Sequence, residues 1–286
     1  MRRKKQVGQA AFTTLNVVFL VLIAATMIIP LWNAVAESFS GSFASMRPGI
    51  LMWPRDFSLS GYTTIWTVLD LWQPFENSVI VSVLGTLLHV LLSALAGYAL
   101  AQSGMPGRRF VTGLILITMM IPFEAIMIPF YITMQQLGLL NSLAALILSG
   151  MVSGFSVLLM RNFFLSIPGD ILESAKIDGA GHFRMFWQIC MPLSKAGLAT
   201  VGLFEFVGRW NNLLTTILLI NDSTKNTLQV ALNALISGGS STSSGYLITT
   251  NVKMAGIIIA ILPLIIAYPF AQKYFVRGIF LGANKE

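Results

Sequence analysis

Long apolar runs separated by short polar connections dominate the chain. A helix that crosses the hydrocarbon core of a bilayer needs about 20 apolar residues, because its backbone polar groups must be satisfied within the segment. Six runs meet this requirement. They predict spans at approximately Ala11–Val35, Ser78–Ala101, Phe110–Phe130, Ser142–Phe164, Ala196–Ile220 and Met254–Tyr274. The pattern therefore predicts an all-α integral membrane protein with six transmembrane helices in a single domain, residues 1–286.

The first run follows the basic stretch from Arg2 to Lys5, as the apolar core of a signal peptide does. Its length exceeds the roughly 7 to 15 residues of such a core, so we expect this helix to be retained.

Composition agrees with a membrane location. Hydrophobic residues make up 55% of the chain and charged residues only 10%, against about 25% charged residues in soluble domains. The single cysteine, Cys190, cannot close an internal disulfide, and two histidines leave little material for a metal site. We therefore expect neither redox nor metal chemistry.

The positive charges favour one side of the predicted membrane. With the N-terminus inside, thirteen of the eighteen Lys and Arg residues fall on inner segments and four on outer ones, while Arg209 lies within a span. Positive charge in short loops marks the cytoplasmic side. Both termini are thus predicted to be cytoplasmic, and the net charge of +7 is explained without a nucleic-acid partner.

The only sizeable inner connection, residues 166–195, has the signals of a short capped helix. Ser166 is a suitable N-cap, and Asp170 and Glu173 place negative charge at the positive end of the helix dipole. Gly179 is suited to a left-handed helix stop.

Beyond Gly179, four apolar residues recur at i, i+3, i+4 and i+7 and predict a stripe lying along the membrane surface. They are Phe183, Phe186, Trp187 and Cys190. From these features alone, the loop is either a docking surface for another protein or a capped connection without a partner.

Two short runs in this loop resemble the EAA signature of membrane subunits of binding-protein-dependent ABC importers. They are Glu173-Ser174-Ala175-Lys176-Ile177-Asp178-Gly179 and, nine residues later, Ile189-Cys190-Met191-Pro192. Ser174 and Met191 depart from the usual Ala and Leu. The extension Asp178-Gly179-Ala180 and the downstream Trp210-Asn211 resemble the carbohydrate-uptake branch, and are similar to the G-type permeases of maltose importers.

The resemblance implies an ABC importer permease fold whose EAA helix is a cytoplasmic coupling helix seated in an ATPase subunit. Glu173 and Asp178 would make polar contacts with the ATPase, Ser174 and Ala175 would lie in the contact helix with Ala175 packed tightly, and Gly179 would set the sharp exit. It implies a bacterial inner-membrane location and three kinds of protein partner. These are a homologous sister permease forming a heterodimer, two copies of a cytoplasmic ATPase, and an extracytoplasmic sugar-binding protein.

The chain lacks catalytic motifs of its own. It contains no Gly-x-x-x-x-Gly-Lys-Ser/Thr run, so ATP and Mg²⁺ are expected on the separate ATPase. It also lacks a Gly-x-Ser-x-Gly nucleophile turn, and His89 within a span is interpreted as a hydrogen-bonded packing residue. We therefore expect no enzymatic activity and no bound cofactor.

Polar residues inside spans are costly and suggest function. The candidates for a translocation pathway or substrate contact are Glu124 in the third span and Glu205, Arg209, Trp210, Asn211 and Asn212 in the fifth. Glu205, Arg209, Asn212 and Thr216 share one helix face. Glu205 and Arg209 are interpreted either as a structural ion pair or as direct sugar contacts.

The outer stretch from Ser237 to Gly245 is rich in Gly and Ser. By resemblance, Gly238, Gly239 and Gly245 are candidates for contact with the binding protein. The leading hypothesis is a permease subunit of an ATP-driven sugar importer, with an oligosaccharide as its expected cargo. The alternative is an ion-gradient-driven secondary transporter that uses Glu124 and the Glu205/Arg209 pair.

Overall fold

The computed structural model describes residues 2–67, 70–237 and 248–283, and every regular element within these ranges is helical. The α-helices are α1 (Arg2–Ser38), α2 (Ser60–Thr67), α3 (Trp72–Ala101), α4 (Arg108–Met119), α5 (Phe123–Gln136), α6 (Leu143–Leu148), α7 (Gly154–Leu165), α8 (Gly169–Ile177), α9 (His182–Met185), α10 (Met191–Leu193), α11 (Lys195–Trp210), α12 (Leu214–Leu219), α13 (Leu228–Ser237) and α14 (Thr250–Ala283). A π-helical turn, Phe186–Cys190, joins α9 to α10.

Three helices in the described ranges contain stretches long and apolar enough to cross a membrane, namely Phe12–Ser38, Trp72–Ala101 and Thr250–Phe270. Three sharply bent helix pairs raise this number to as many as six if each pair is one span. The pairs are α4 with α5, bent by 101°, α7 with α8, bent by 76°, and the segment His182–Leu193 with α11, bent by 78°. The first, second and sixth predicted spans are confirmed as parts of continuous helices.

The third, fourth and fifth predicted spans are interrupted, and none of them is one continuous helix. Pro122, which has no N–H to donate, precedes α5 with extended backbone. Between α6 and α7, Gly150 has a φ of +65°, and the Ser153 hydroxyl accepts the Ser156 N–H to start a new helix. Between α11 and α12, the Asn212 side chain accepts the Thr215 N–H at 3.0 Å. Each break is therefore built from local backbone chemistry that hydropathy does not register.

The chain divides into two compact units, of which one comprises residues 1–70 and 232–261. Asn251, fully buried, organises the polar part of this unit. Its Nδ2 donates to the Ser40 carbonyl at 3.0 Å and to the Ser60 hydroxyl at 3.1 Å, and its backbone N–H donates to the Ser45 hydroxyl at 3.1 Å. The start of α14 is thereby tied to the segment that follows α1.

The second unit comprises residues 71–231 and 262–286, and α3 packs there against α6, α7 and α11. Gly97 lets α3 approach α7 closely, since a Cβ there would lie 2.8 Å from the backbone nitrogen of Arg161. This unit contains both the predicted coupling loop and the predicted polar residues of the fifth span.

Candidate functional site

The helix predicted in the inner loop exists as α8, but it starts later than expected. Its N-cap is Pro168, whereas Ser166 caps the end of α7 and donates its hydroxyl to the Phe163 carbonyl at 2.7 Å. The Ser166 N-cap prediction is wrong because Pro168 cannot continue α7 and instead begins the next helix. The predicted stop is confirmed. Gly179 has a φ of +78°, and the Ala180 N–H donates to the Ala175 carbonyl at 2.9 Å, closing the helix end.

The two faces of α8 differ in exposure. Glu173, Ser174 and Asp178 are exposed, whereas Ala175 is buried within the chain. The side chain of Ile177 is 87% exposed, although it is large and apolar. A surface with carboxylates and a bare apolar side chain is suited to contact with another protein. Ala175 is packed against other residues of this chain.

Downstream of α8, the predicted apolar stripe is divided between two directions, and its prediction as one membrane-facing surface is wrong. The π-helical turn adds a residue to the helical repeat. Phe186 and Cys190 point inward and are buried, while Phe183 and Trp187 are 77% and 42% exposed.

The inward pair belongs to a cluster at the base of the loop, which we call the anchor cluster. It consists of Ala94, Met160, Phe164, Ile167, Phe186, Cys190 and Val201. Tyr98 packs at its edge, with its ring centroid 5.3 Å from that of Phe186. The cluster joins the predicted coupling loop to α3, α7 and α11 through apolar contact, and the Tyr98 hydroxyl adds a hydrogen bond to the His182 carbonyl at 3.3 Å.

A cavity of about 570 Å³ lies where the three helix breaks meet. Each break supplies part of the wall, through Phe123 at the start of α5, Ser149 and Gly150 after α6, and Asn212 after α11. Irregular backbone at membrane depth is tolerated only inside protein or beside a cavity. The remaining lining residues are Val81, Ile126, Phe130, Leu146, Glu205, Gly208, Arg209, Thr215, Thr216 and Thr227.

Arg209 closes one side of this cavity. Its Nη1 donates to the carbonyls of Leu146 and Ile147 at 2.9 and 3.1 Å, and its Nη2 donates to the Ser149 carbonyl at 2.9 Å. These are acceptors left over at the end of α6. The Arg209 Nε donates to Glu205 Oε1 at 2.6 Å, which confirms the predicted pairing within one helix. At Gly85 of α3, any side chain would overlap the guanidinium.

His89 holds the other half of the same break and is fully buried. Its Nδ1 lies 2.7 Å from the Gly150 carbonyl, which can only accept, so Nδ1 carries a proton. The Ser153 hydroxyl donates to Ser156 Oγ at 2.9 Å, and Ser156 Oγ lies 2.8 Å from His89 Nε2. The prediction of a hydrogen-bonded packing histidine is confirmed. We call His89, Glu205, Arg209 and the linker 149–153 the polar junction.

Some of the predicted pathway residues line the cavity, and others do not. Glu205, Arg209, Asn212 and Thr216 all line the cavity, as their shared helix face predicted, although the helix is broken between them. This cavity's lining does not include Trp210, Asn211 or Glu124.

The three residues off the cavity have other surroundings. Trp210 is buried against Phe206, with the ring centroids 6.1 Å apart. The Asn211 amide donates back to the Val207 carbonyl at 3.0 Å. Glu124 is exposed in the first turn of α5. Gly238, Gly239 and Gly245 lie outside the described residues.

Sequence reasoning missed the aromatic wall of the cavity. Phe123 and Phe130 face each other with ring centroids 5.6 Å apart in an edge-to-face arrangement. A spacing of seven residues places both on one helix face, so the signal was present immediately after Pro122.

Comparison with known proteins gives the context of this geometry. Residues 89–281 match the family described as binding-protein-dependent transport system inner membrane component. The chain belongs to this family. It is therefore a membrane subunit of an importer, is not itself an enzyme, and works with an ATPase on a separate subunit. This membership removes the ion-gradient-driven alternative.

Relatives that match along nearly their whole length support this family membership. The polygalacturonan/rhamnogalacturonan transport system permease protein YtcP of Bacillus subtilis is 36% identical, over 93% of this chain and 96% of that protein. The arabinooligosaccharides transport system permease protein AraQ of Halalkalibacterium halodurans is 32% identical over the full length of both. Among solved structures, one chain of a bacterial ABC transporter involved in the import of the acidic polysaccharide alginate superposes with a TM-score of 0.85. It is 30% identical, and the match covers 92% of this chain and 96% of that one.

Proposed function

We propose that this chain is one permease subunit of an ATP-driven importer that carries an oligosaccharide across the bacterial inner membrane. It pairs with a homologous sister permease, two copies of a cytoplasmic ATPase that hold ATP and Mg²⁺, and an extracytoplasmic binding protein. Family membership and the saccharide cargo in the names of the relatives support the proposal. The charge distribution supports six spans with both termini cytoplasmic, within a single permease domain. α7 and α11 are then the membrane arms of their bent pairs, and α8 lies outside the membrane.

The observation that carries the coupling mechanism is the form of α8. It is a capped helix with an outward face of Glu173, Ser174, Ile177 and Asp178, and it ends at Gly179. On this proposal the ATPase grips that face and moves α8 as a rigid body. The anchor cluster passes the movement to α3, α7 and α11, because close-packed side chains transmit displacement rather than absorb it.

Glu205, Arg209 and Asn212 are proposed to line the translocation pathway, with Glu124 at the exposed start of α5 beside it. Gly238, Gly239 and Gly245 remain a proposed contact for the binding protein. Deleting residues 238–244 should impair uptake while leaving assembly with the ATPase intact.

The coupling proposal is tested by Gly179→Asp. A side chain at a φ of +78° strains the helix exit by about 1 to 2 kcal/mol and redirects the chain that leaves α8. We expect the variant to assemble in the membrane and hydrolyse ATP, but with uptake at least tenfold lower per ATP hydrolysed, measured in proteoliposomes.

Gly181→Asp is the matched control. Gly181 lies in the same loop, has a φ of −72° and has open space where a Cβ would stand, so it accepts the same side chain without strain. Normal uptake by the Gly179 variant, or equal losses in both variants, would contradict the role of α8.

A further inference from the structure

We propose that the cavity at the meeting point of the three helix breaks is a sugar subsite on this subunit itself, and that it takes an uncharged sugar ring. This inference rests on the proposed import of an oligosaccharide. It adds the location of a binding site within this chain and the chemical class of the cargo.

The size and lining of the cavity suit one or two sugar rings. Its volume of about 570 Å³ falls within the roughly 300 to 1,000 Å³ typical of small-molecule sites, which are mostly apolar with a few placed polar groups. Phe123 and Phe130 form an aromatic wall on one side. The lining also carries the polar side chains of Glu205, Arg209 and Asn212. A sugar ring has an apolar C–H face and a rim of hydroxyls, so it can contact both kinds of side chain.

The charge balance of the cavity decides the class of sugar. Arg209 is the single cation among the described residues that line the cavity, and the three carbonyls and Glu205 take up four of its five N–H groups. The Glu205 carboxylate at 2.6 Å compensates its charge. A bound carboxylated or phosphorylated sugar would need an uncompensated cation in this low-dielectric place. The cavity does not offer one.

A neutral sugar hydroxyl both donates and accepts hydrogen bonds, and the cavity lining offers a partner for each. The Asn212 Oδ1 is occupied by the Thr215 N–H, but its NH₂ group has no protein partner among the described residues. The side chain of Glu205 is 20% exposed, and its Oε1 is paired with Arg209. Its Oε2 lies 3.4 Å from His89 Nδ1 and has a second lone pair with which to accept a further hydrogen bond. The cavity thus offers one amide donor and one carboxylate acceptor, as a sugar diol requires.

The test uses the complete transporter, with this chain, its sister permease, the ATPase and the cognate binding protein in proteoliposomes. Two pools of probe are offered, neutral arabino-, xylo- and chito-oligosaccharides and acidic oligogalacturonides and alginate oligomers, and ATP-dependent uptake is read by mass spectrometry. We expect uptake from the neutral pool.

Asn212→Asp keeps the acceptor for Thr215 and replaces the NH₂ donor by a charge. It should lower the maximal uptake rate by about fivefold to tenfold, because one hydrogen bond to the sugar is lost.

Asn211→Asp is the matched control, because the neighbouring asparagine makes the same chemical change outside the cavity. Uptake by this variant should stay within about twofold of the wild type. Phe123→Leu, which keeps the wall apolar but removes the ring face, should reduce uptake without altering ATPase assembly.

The outcomes of these experiments test the sugar class and the subsite separately. Uptake confined to the acidic pool overturns the neutral class, and equal effects of Asn211→Asp and Asn212→Asp overturn the subsite. Both results leave the importer function intact. Failure of the importer function itself has a different readout, namely ATP hydrolysis that the cognate binding protein does not stimulate.

Discussion

The two ends of α7 are held by opposite kinds of chemistry. At its N-terminal end, the polar junction fixes the linker 149–153 through hydrogen bonds from Arg209 and His89. At its C-terminal end, Met160 and Phe164 sit in the anchor cluster, where contact is apolar. Hydrogen bonds are directional and are lost over a fraction of an ångström, whereas apolar burial depends on area rather than angle. The cavity end is therefore held in one geometry, whereas the C-terminal end of α7 can move together with the anchor cluster while its side chains stay packed.

The contrast between the two ends of α7 predicts that substitution of Arg209 causes the largest loss of stability. Arg209→Met would leave the Glu205 carboxylate and three carbonyls without their partner, at a cost of about 3 to 5 kcal/mol. We expect loss of folded protein or a strongly lowered melting temperature in detergent, measured by fluorescence-detected gel filtration. Arg209→Met combined with Glu205→Gln should recover part of the loss. Wild-type stability of the single variant would show that the guanidinium does not hold the break.

Phe186→Ala tests the apolar end and should cost about 3 kcal/mol, because it empties a site in the anchor cluster. Phe183→Ala is the matched control, since that side chain is 77% exposed. If the anchor transmits movement, Phe186→Ala should also lower uptake per ATP hydrolysed in proteoliposomes. Equal behaviour of the two variants would remove the distinction between the inward and outward residues of the loop.

A smaller effect is expected at Ser156, which completes the hydrogen-bond chain to His89. Ser156→Ala leaves the buried Nε2 without a partner and should cost about 1 kcal/mol in stability. Ser166→Ala, which removes only an exposed bond to the preceding turn, should cost less. Thermal melting of the purified subunit measures both. A larger loss at Ser166 would contradict the buried chain.

The smallest effect is expected at Asp222, a polar network outside the spans. Hydrogen bonds from the Thr224 hydroxyl and N–H, with help from Lys225, hold the pKa of Asp222 below its ordinary value. Its contribution is therefore present above the unfolded pKa and is lost as the pH falls through the depressed folded pKa. Asp222→Asn should lower the melting temperature slightly at pH 7, and the difference from wild type should shrink on acidification. A difference that grows in acid would refute the assignment.

Sequence reasoning found the features that are repeated over many residues or concentrated in one motif. The apolar runs placed α1, α3 and α14, and the spacing from Glu173 to Gly179 placed α8 and its stop. The breaks after α6 and α11 were missed because hydropathy averages over a window, so Ser149, Gly150 and Ser153 were absorbed into an apolar run. Ser153 as an N-cap was the available signal. The carbonyl partners of Arg209 come from 60 or more residues away in sequence, and local patterns do not contain them.

The pairing of Arg209 with Glu205 also bears on the membrane potential. A lone charge moved across the full field gains or loses about 2.3 kcal/mol for every 100 mV. These two side chains lie one helical turn apart on α11 and move together, so their charges cancel in any displacement of that helix. Whatever α11 does during the transport cycle, the ion pair performs almost no electrical work. The energised state of the cell therefore does not bias this helix through these residues.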